Sequence, residues 1–276
     1  MRGLPPPIRS SSHPLARQAR ALARGPRQRR EEGLFLVEGP RGLAEALDAG
    51  APLVWVLVAD GRRERWSGLL ARCLDAGVPV QPVRDTLLER VSPTPHGQGI
   101  LAAARLPADH ADVSSVLSRA GERPLVVLLG VQDPGNLGAL VRSALAFGAG
   151  GLLAAGGADP WNEKAVRASA GAIHRLPVVR LPGPDPVPGL LEADGRGAVL
   201  AETRGGRDPV EVDWSGRLAL LLGPETGEVP PAVREAAEAV TIPLAPGVES
   251  LSVPVAGSIL LHVLARIRRG SGVSFP

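Results

Sequence analysis

The sequence predicts an α/β protein in which a small α/β domain precedes a larger domain built on a parallel sheet. Three observations carry this. Short apolar runs bounded by Gly or Pro alternate with helical patterns along a chain that holds 34 Gly and 28 Pro in 276 residues. The alternation pauses in a polar stretch at 107–122 and restarts with stronger strands at Pro124. In the second part the runs are continuously apolar, as strands buried on both faces of a parallel sheet must be.

Taken in order, residues 1–30 hold eight arginines (Arg2, Arg9, Arg17, Arg20, Arg24, Arg27, Arg29, Arg30) and no acid. The run reads as a basic arm that tracks a phosphate backbone, or as a solvated terminus. Residues 31–106 form the small domain. Within it LFLVEG (34–39) leads into a helix over 40–49, and LVWVLVA (53–59) into another over 65–76. VPVQPV (78–83) and a short helix over 85–91 follow, and GILAAAR (99–105) closes the domain. Residues 107–122, polar with some helical potential, are assigned as a linker. The second domain spans 123–270. Its strands are expected in PLVVLLG (124–130), GLLAAGG (151–157), LPVVRL (176–181), AVLAE (198–202), RLALLLG (217–223) and AVTIPLA (239–245).

Composition bounds the chemistry. A single Cys excludes a disulfide framework and a cysteine-rich zinc site, and Cys73 reads as a small core residue. The five His (His13, His96, His110, His174, His262) lack metal-ligand spacing, so no metal is expected. Aromatic residues are 3% with no Tyr, which disfavours a base-stacking surface. Net charge is +3, and Lys164 is the only lysine. Arginine's planar fork suits phosphate, but genomic base composition explains the same bias equally well. No signal peptide or membrane-spanning run is visible, so the cytoplasm is the expected location and no membrane partner is expected. Glycine-rich dinucleotide, Walker A and Gly-x-Ser-x-Gly motifs are absent.

Ligands of open α/β sheets sit beyond the carboxyl ends of strands, and three loops there carry chemistry. In the first, residues 130–150, Asp133-Pro134-Gly135-Asn136 makes a turn with Asn136 as the expected helix cap. Leu137, Leu140, Val141, Ala144 and Leu145 then define a buried face, leaving Arg142 off it, either solvated or functional. In the second, LLLGPETGEVP (220–230), Gly223 and Gly227 allow close approach to a ligand. Glu225 at its tip either faces that ligand or caps the helix that begins near Pro230. In the third, residues 242–266, Glu249, Ser250 and Ser252 crowd the start of a helix whose first turn suits Pro254. That helix is apolar most of the way round, so its own core or a second subunit must cover it.

These loops resemble the SpoU/TrmH family of ribose 2′-O-methyltransferases, within the SPOUT class. The similarity lies in NLGALVR (136–142), LGPETGEVP (222–230), IPLAPGVESLSVPVA (242–256) and KAVRASAGAIHRLPV (164–178). FLVEGPRGLAEAL and TPHGQGILAA resemble the family's substrate-binding domain, a ribosomal-protein-like α/β fold. The resemblance implies a deep trefoil knot near the carboxyl end that holds S-adenosylmethionine. Gly223, Ile242 and Leu251 would contact the cofactor, with Leu222, Leu244 and Ala201 beside them. It also implies a homodimer and an activating role for Arg142, with Asn136, Glu225, Ser250 and Ser252 around it. RNA would be held by Arg29, Arg30, Arg142, Lys164 and Arg167. Ribosomal RNA, most specifically 23S, is favoured over tRNA because an added N-terminal domain is present. A non-catalytic RNA-binding member is the further alternative. Ser252 stands where the family commonly has Asn, Pro254 where Ser is usual, and Thr226 where Gly is frequent. Ser252 keeps a hydroxyl but lacks the amide's donor group, which bears on substrate geometry or rate.

Overall fold

The computed structural model describes residues 3–94, 97–108 and 112–270, arranged in two compact units. Arg2 of the arginine run, His96, His110 and linker residues 109–111 lie outside the described residues. The first unit contains residues 1–107 and 161–174, the second 108–160 and 175–276.

The first unit begins with two helices where the arginine run predicts an arm. Pro14 opens α1 (Pro14–Arg24), and the His13 ring accepts from Leu15 N–H to cap it. Ala16, Ala19 and Leu22 are buried along one face. The α2 helix (Pro26–Glu32) ends on Gly33 in the left-handed region, φ 64°. Ile8 pairs with the strand that contains Val83. The arm is therefore corrected: this segment is part of the unit's core, packed with Leu36, Trp55, Leu57 and Leu101. Its small apolar positions recur with helical spacing, and the arginines between them face outward.

Then follow β1 (Leu34–Glu38), α3 (Gly39–Asp48), β2 (Leu53–Ala59), α4 (Ser67–Asp75), β3 (Val80–Val83), α5 (Asp85–Val91) and β4 (Ile100–Arg105). The strands and helices expected over 34–105 are all present. Their sheet has the order β1-β4-β2-β3, with β4 antiparallel to both neighbours and β2 parallel to β3.

The second unit starts earlier than expected. The supposed linker contains α6 (Val113–Ala120), capped by Asp112, and its Val116 and Ala120 are buried in the unit's core. A Cβ on Gly150 would stand 2.6 Å from Ala120 Cα, so glycine lets the helix lie against the chain there. Next come β5 (Leu125–Leu129), α7 (Pro134–Ala146) and β6 (Gly151–Ala155). The chain then contributes α8 (Glu163–Ala168) to the first unit, where it packs on β1. The boundary at 123–270 is corrected accordingly, because contiguity in sequence does not decide which core a helix joins.

The second unit resumes with β7 (Val178–Leu181), α9 (Val187–Ala193), β8 (Gly197–Ala201), β9 (Leu218–Leu222), α10 (Pro231–Glu235), β10 (Glu238–Val240) and α11 (Val253–Gly270). Its six strands lie in the order β10-β8-β9-β5-β6-β7 and every pair is parallel. All six expected strands are found, though AVTIPLA supplies only two strand residues, Ala239 and Val240, before an irregular segment at 241–252. The centre of the sheet is fully apolar, as in the wholly buried β5, β6 and β9.

Helix α7 buries Leu137, Leu140, Val141 and Ala144, while Leu145 is half-buried. Against it lies α11, where a Cβ on Gly257 would come within 2.6 Å of Leu140 and Leu222. The hydroxyls of Ser143 and Ser258 meet at 2.7 Å across the same contact. The chain's own core covers Leu260, Leu261, Leu264 and Ala265 of α11, but Val255 and Ile259 stay 46% and 37% exposed.

Candidate cofactor cavity and its acidic rim

The carboxyl ends of β8, β9 and β10 surround a cavity of about 310 Å³ in the second unit. Every residue expected at the cofactor, namely Ala201, Leu222, Gly223, Ile242, Leu244 and Leu251, lines it. Ser250 and Glu225 line it too. The volume is at the lower end of the ~300–1,000 Å³ usual for ligand sites. Leu222, Ile242, Leu244 and Leu251 supply apolar walls. The main-chain polar groups of Ile242, Leu244 and Leu251 form no hydrogen bond with other described residues. Apolar walls with free main-chain donors and acceptors suit a flat heterocycle with a polar edge, so the residues fit an adenine-bearing cofactor.

At the rim the structure corrects one expectation. Helix α7 starts at Pro134, and the Asp133 carboxylate, not Asn136, caps it by accepting from Asn136 N–H at 2.9 Å. Both residue types cap well, and the helix begins three residues earlier than a cap at Asn136 would place it. The Asn136 amide is thereby left for another task. Its Nδ2 donates to Glu225 Oε1 at 2.8 Å, while Gln132 N–H donates to Glu225 Oε2 at 3.1 Å. Glu225 is thus no cap for α10: it ties the loop after β9 to the start of α7.

Partial burial pushes the Glu225 carboxyl up, but hydrogen bonds from Asn136 and from the main chain of Glu225, Gln132 and Asp133 outweigh it. The result lies below the usual glutamate range. The stabilisation it lends is therefore present above the ordinary glutamate pKa and is lost as pH falls through the depressed value. Asn136→Ala removes one of those donors, so the Glu225 carboxyl should titrate at higher pH in the variant. NMR titration of the Glu225 carboxyl carbon measures this; an unmoved midpoint would show that the pair does not set its charge.

Arg142 lies farther along α7, exposed and without a hydrogen bond or ion pair to any described residue. Ser252 is exposed, and its carbonyl accepts from Ala256 N–H at 3.0 Å in the first turn of α11. Neither lines the cavity, and Asn136 reaches it only through Glu225.

The expected RNA contacts in the first unit fare differently. Arg29 is 3% exposed, donates to Leu22 C=O at 3.0 Å and lies 3.7 Å from Glu163. It is corrected to a structural residue, since a buried guanidinium cannot reach phosphate. Arg167 is engaged with Glu38 at 3.0 Å, and Glu38 also accepts from the Thr94 hydroxyl. Arg30 and Lys164 are exposed. Among the remaining His, His13 caps a helix, His174 stacks on Phe35 and His262 meets the edge of Phe147. Cys73 is buried, which pushes its thiol up to about 11. Among the described residues no cluster of His, Cys, Asp or Glu could hold a metal, and no helix is long and apolar enough to cross a membrane.

Sequence reasoning passed over Glu202, Thr203, Val229 and Arg234, which also line the cavity. Glu202 and Thr203 directly follow a strand, a signal that was there to use. Arg234 sits on a five-residue helix that offers no periodicity.

A parallel α/β unit with an apolar cavity at its strand ends beside an Asn–Glu pair fits an enzyme that uses an adenosine-bearing cofactor. Residues 123–262 match the SpoU rRNA Methylase family, and residues 14–102 match the MRM3-like substrate binding domain. An uncharacterized tRNA/rRNA methyltransferase of Mycobacterium marinum is 33% identical over 96% of this chain and 87% of its own length. A 23S rRNA (uridine(2479)-2′-O)-methyltransferase of Streptomyces viridochromogenes is 33% identical over 91% of this chain and 89% of its own. A SpoU methyltransferase from Streptomyces viridochromogenes, solved with the cofactor AdoMet, superposes with a TM-score of 0.79. It is 29% identical and covers 94% of this chain and 100% of its own. The chain belongs to the SpoU rRNA methylase family and is an S-adenosylmethionine-dependent RNA methyltransferase.

Proposed function

We propose that this protein methylates a ribose 2′-hydroxyl of structured RNA, with 23S rRNA the favoured substrate. The observation that carries the reading is the Glu225–Asn136 pair at the rim of the cofactor cavity, on the helix that also bears an unpaired Arg142. The name of the Streptomyces relative supports the 2′-hydroxyl and the 23S substrate.

Bound S-adenosylmethionine supplies an electrophilic methyl group on a sulfonium. The rest falls to the chain. Main-chain groups of Gly223, Ile242 and Leu251 hold the adenine end, and Leu222, Leu244 and Ala201 exclude water. Arg142 grips a phosphate beside the target nucleotide and stabilises the charge that develops on the ribose oxygen. A guanidinium stays protonated under these conditions, so Arg142 acts electrostatically, and the proton of the 2′-hydroxyl passes to solvent water as that oxygen gains the methyl group. Glu225 holds the Asn136 amide in place, and the hydroxyls of Ser250 and Ser252 orient the sugar. The proposal includes the trefoil-knotted path of the carboxyl-terminal segment, supported by the irregular chain at 241–252 that lines the cavity. A second copy of the chain covers Val255 and Ile259, giving the homodimer, and the location is cytoplasmic.

RNA is held by the outward face of α1, together with Arg30, Lys164 and the exposed part of Arg167. Arg17, Arg20 and Arg24 lie around one surface groove with no acid on the helix, and only Glu32 adds negative charge there. Changing these three arginines to Gln should weaken RNA binding and flatten its dependence on salt, by roughly 0.7–0.9 in log–log slope per lost phosphate contact. Cofactor affinity should stay constant. An unaltered slope would remove α1 from the RNA-binding surface.

The function is tested by mapping 2′-O-methyl groups on total RNA from cells with and without the gene. A ribose methyl lost from 23S rRNA supports the reading, one lost from tRNA corrects the substrate, and a lost base methyl overturns the chemistry.

A further inference from the structure

Glu202 is the first residue after β8 and lines the cofactor cavity beside Thr203 and Arg234. Its main-chain N–H donates to Val240 C=O at 2.8 Å, which fixes where the side chain leaves the sheet. The side chain is 19% exposed, and Oε1 is shut off from solvent. Arg234 Nη1 stands 2.8 Å from that oxygen, close enough for an ion pair but out of line for a hydrogen bond. Neither carboxylate oxygen accepts a hydrogen bond from a described residue. A mostly buried carboxylate without donors is unusual, because buried acceptors are nearly always satisfied. None of the assigned roles uses it.

Oε1 is sealed against Arg234, which leaves Oε2 as the open acceptor, and we propose that Glu202 Oε2 accepts from the hydroxyls of the cofactor's ribose, as a positioning residue for the adenosine half. The inference rests on the S-adenosylmethionine reading of this cavity. Its chemistry is a match of donors to acceptors. A vicinal diol offers two adjacent neutral O–H donors, and one carboxylate oxygen has lone pairs for both, as where acidic residues at strand ends read ribose in other α/β folds. The competing donor on the cofactor is the ammonium of its methionine half. Arg234 already balances the Glu202 charge and would repel a second cation, so the neutral diol is favoured. The two ends of the adenosine then divide between two segments, with adenine on the 241–251 chain and ribose on the end of β8.

Calorimetry with S-adenosylhomocysteine, 5′-methylthioadenosine and its 2′-deoxy and 3′-deoxy analogues tests this. The unaltered protein should bind each deoxy analogue about 10- to 100-fold more weakly than 5′-methylthioadenosine, the size expected for a hydrogen bond to a charged acceptor. Glu202→Gln should weaken S-adenosylhomocysteine and 5′-methylthioadenosine by the same factor and show little further loss on removal of a hydroxyl. If the unaltered protein binds the deoxy analogues as tightly, the proposal is overturned whether or not the variant folds. If Glu202→Gln weakens S-adenosylhomocysteine but not 5′-methylthioadenosine, the carboxylate serves the amino-acid end and the proposal is equally overturned. Failure of the unaltered protein to bind either parent nucleoside would instead sink the cofactor reading itself.

Discussion

Arg142→Ala should bind S-adenosylmethionine as tightly as the unaltered chain yet lose about 10²–10³-fold in kcat, the usual cost of deleting one group aimed at developing charge. The expectation follows from placement. Arg142 is exposed, has no polar partner among the described residues and does not line the cavity at the ends of β8, β9 and β10. Removing it should therefore leave the fold within about 0.5 kcal/mol of its starting stability, as for surface positions generally. KM for RNA should rise as well, because the same guanidinium holds a phosphate. Arg142→Lys should recover only part of the loss, since a point charge cannot reproduce a fork that contacts two oxygens. A transfer assay with tritiated methyl groups, run beside calorimetry with the cofactor, separates the two effects. Equal turnover in variant and parent would remove Arg142 from the mechanism.

Why the outward placement of Arg142 is legible in the sequence while the burial of Arg29 is not is a matter of what surrounds each. Along α7 the apolar residues keep strict helical spacing, so an Arg between them must point outward. Around Arg29 there is no such frame. The small Ala16, Ala19 and Leu22 that build α1 are sparse among arginines, and charge alone suggested an extended arm. The same difficulty hid α6, whose Val116 and Ala120 are too few to outweigh the polar residues beside them. The six parallel strands were legible because burial on both faces demands uninterrupted apolar runs, which few other structures require. Membership of 161–174 in the first unit was not legible, since a helix shows which face is apolar but not which core receives it. At the site, the loops were readable as glycine-rich strand ends. The bond from the Asn136 side chain to Glu225, by contrast, joins residues 89 positions apart. That kind of pairing has no local signature.

The largest loss of stability is expected far from the cofactor, at Arg268 in the last turns of α11. This side chain is 6% exposed, and its guanidinium donates to the carbonyls of Trp214 at 2.8 Å, Glu122 at 3.1 Å and Gly216. Arg196 does the same nearby, donating to the carbonyls of Arg123, Leu218 and Gly121. Burial pushes both guanidinium groups down, and the charge of Arg196 adds to the effect on Arg268. Two like charges are tolerated together because six main-chain carbonyls and the carboxylate of Asp194, bonded to Arg196, face them. Arg268→Ala deletes three charge-assisted bonds and strands their acceptors, which costs about 3–5 kcal/mol. For a chain of this size that should lower Tm by on the order of 10 °C. Arg268→Lys, which cannot span three diverging carbonyls, should recover only part, whereas Arg266→Ala on the exposed face of the same helix should change little. Thermal denaturation followed by circular dichroism measures all three. Equal melting of Arg268→Ala and Arg266→Ala would show that water replaces the guanidinium at no cost, and that α11 is anchored by its apolar packing alone.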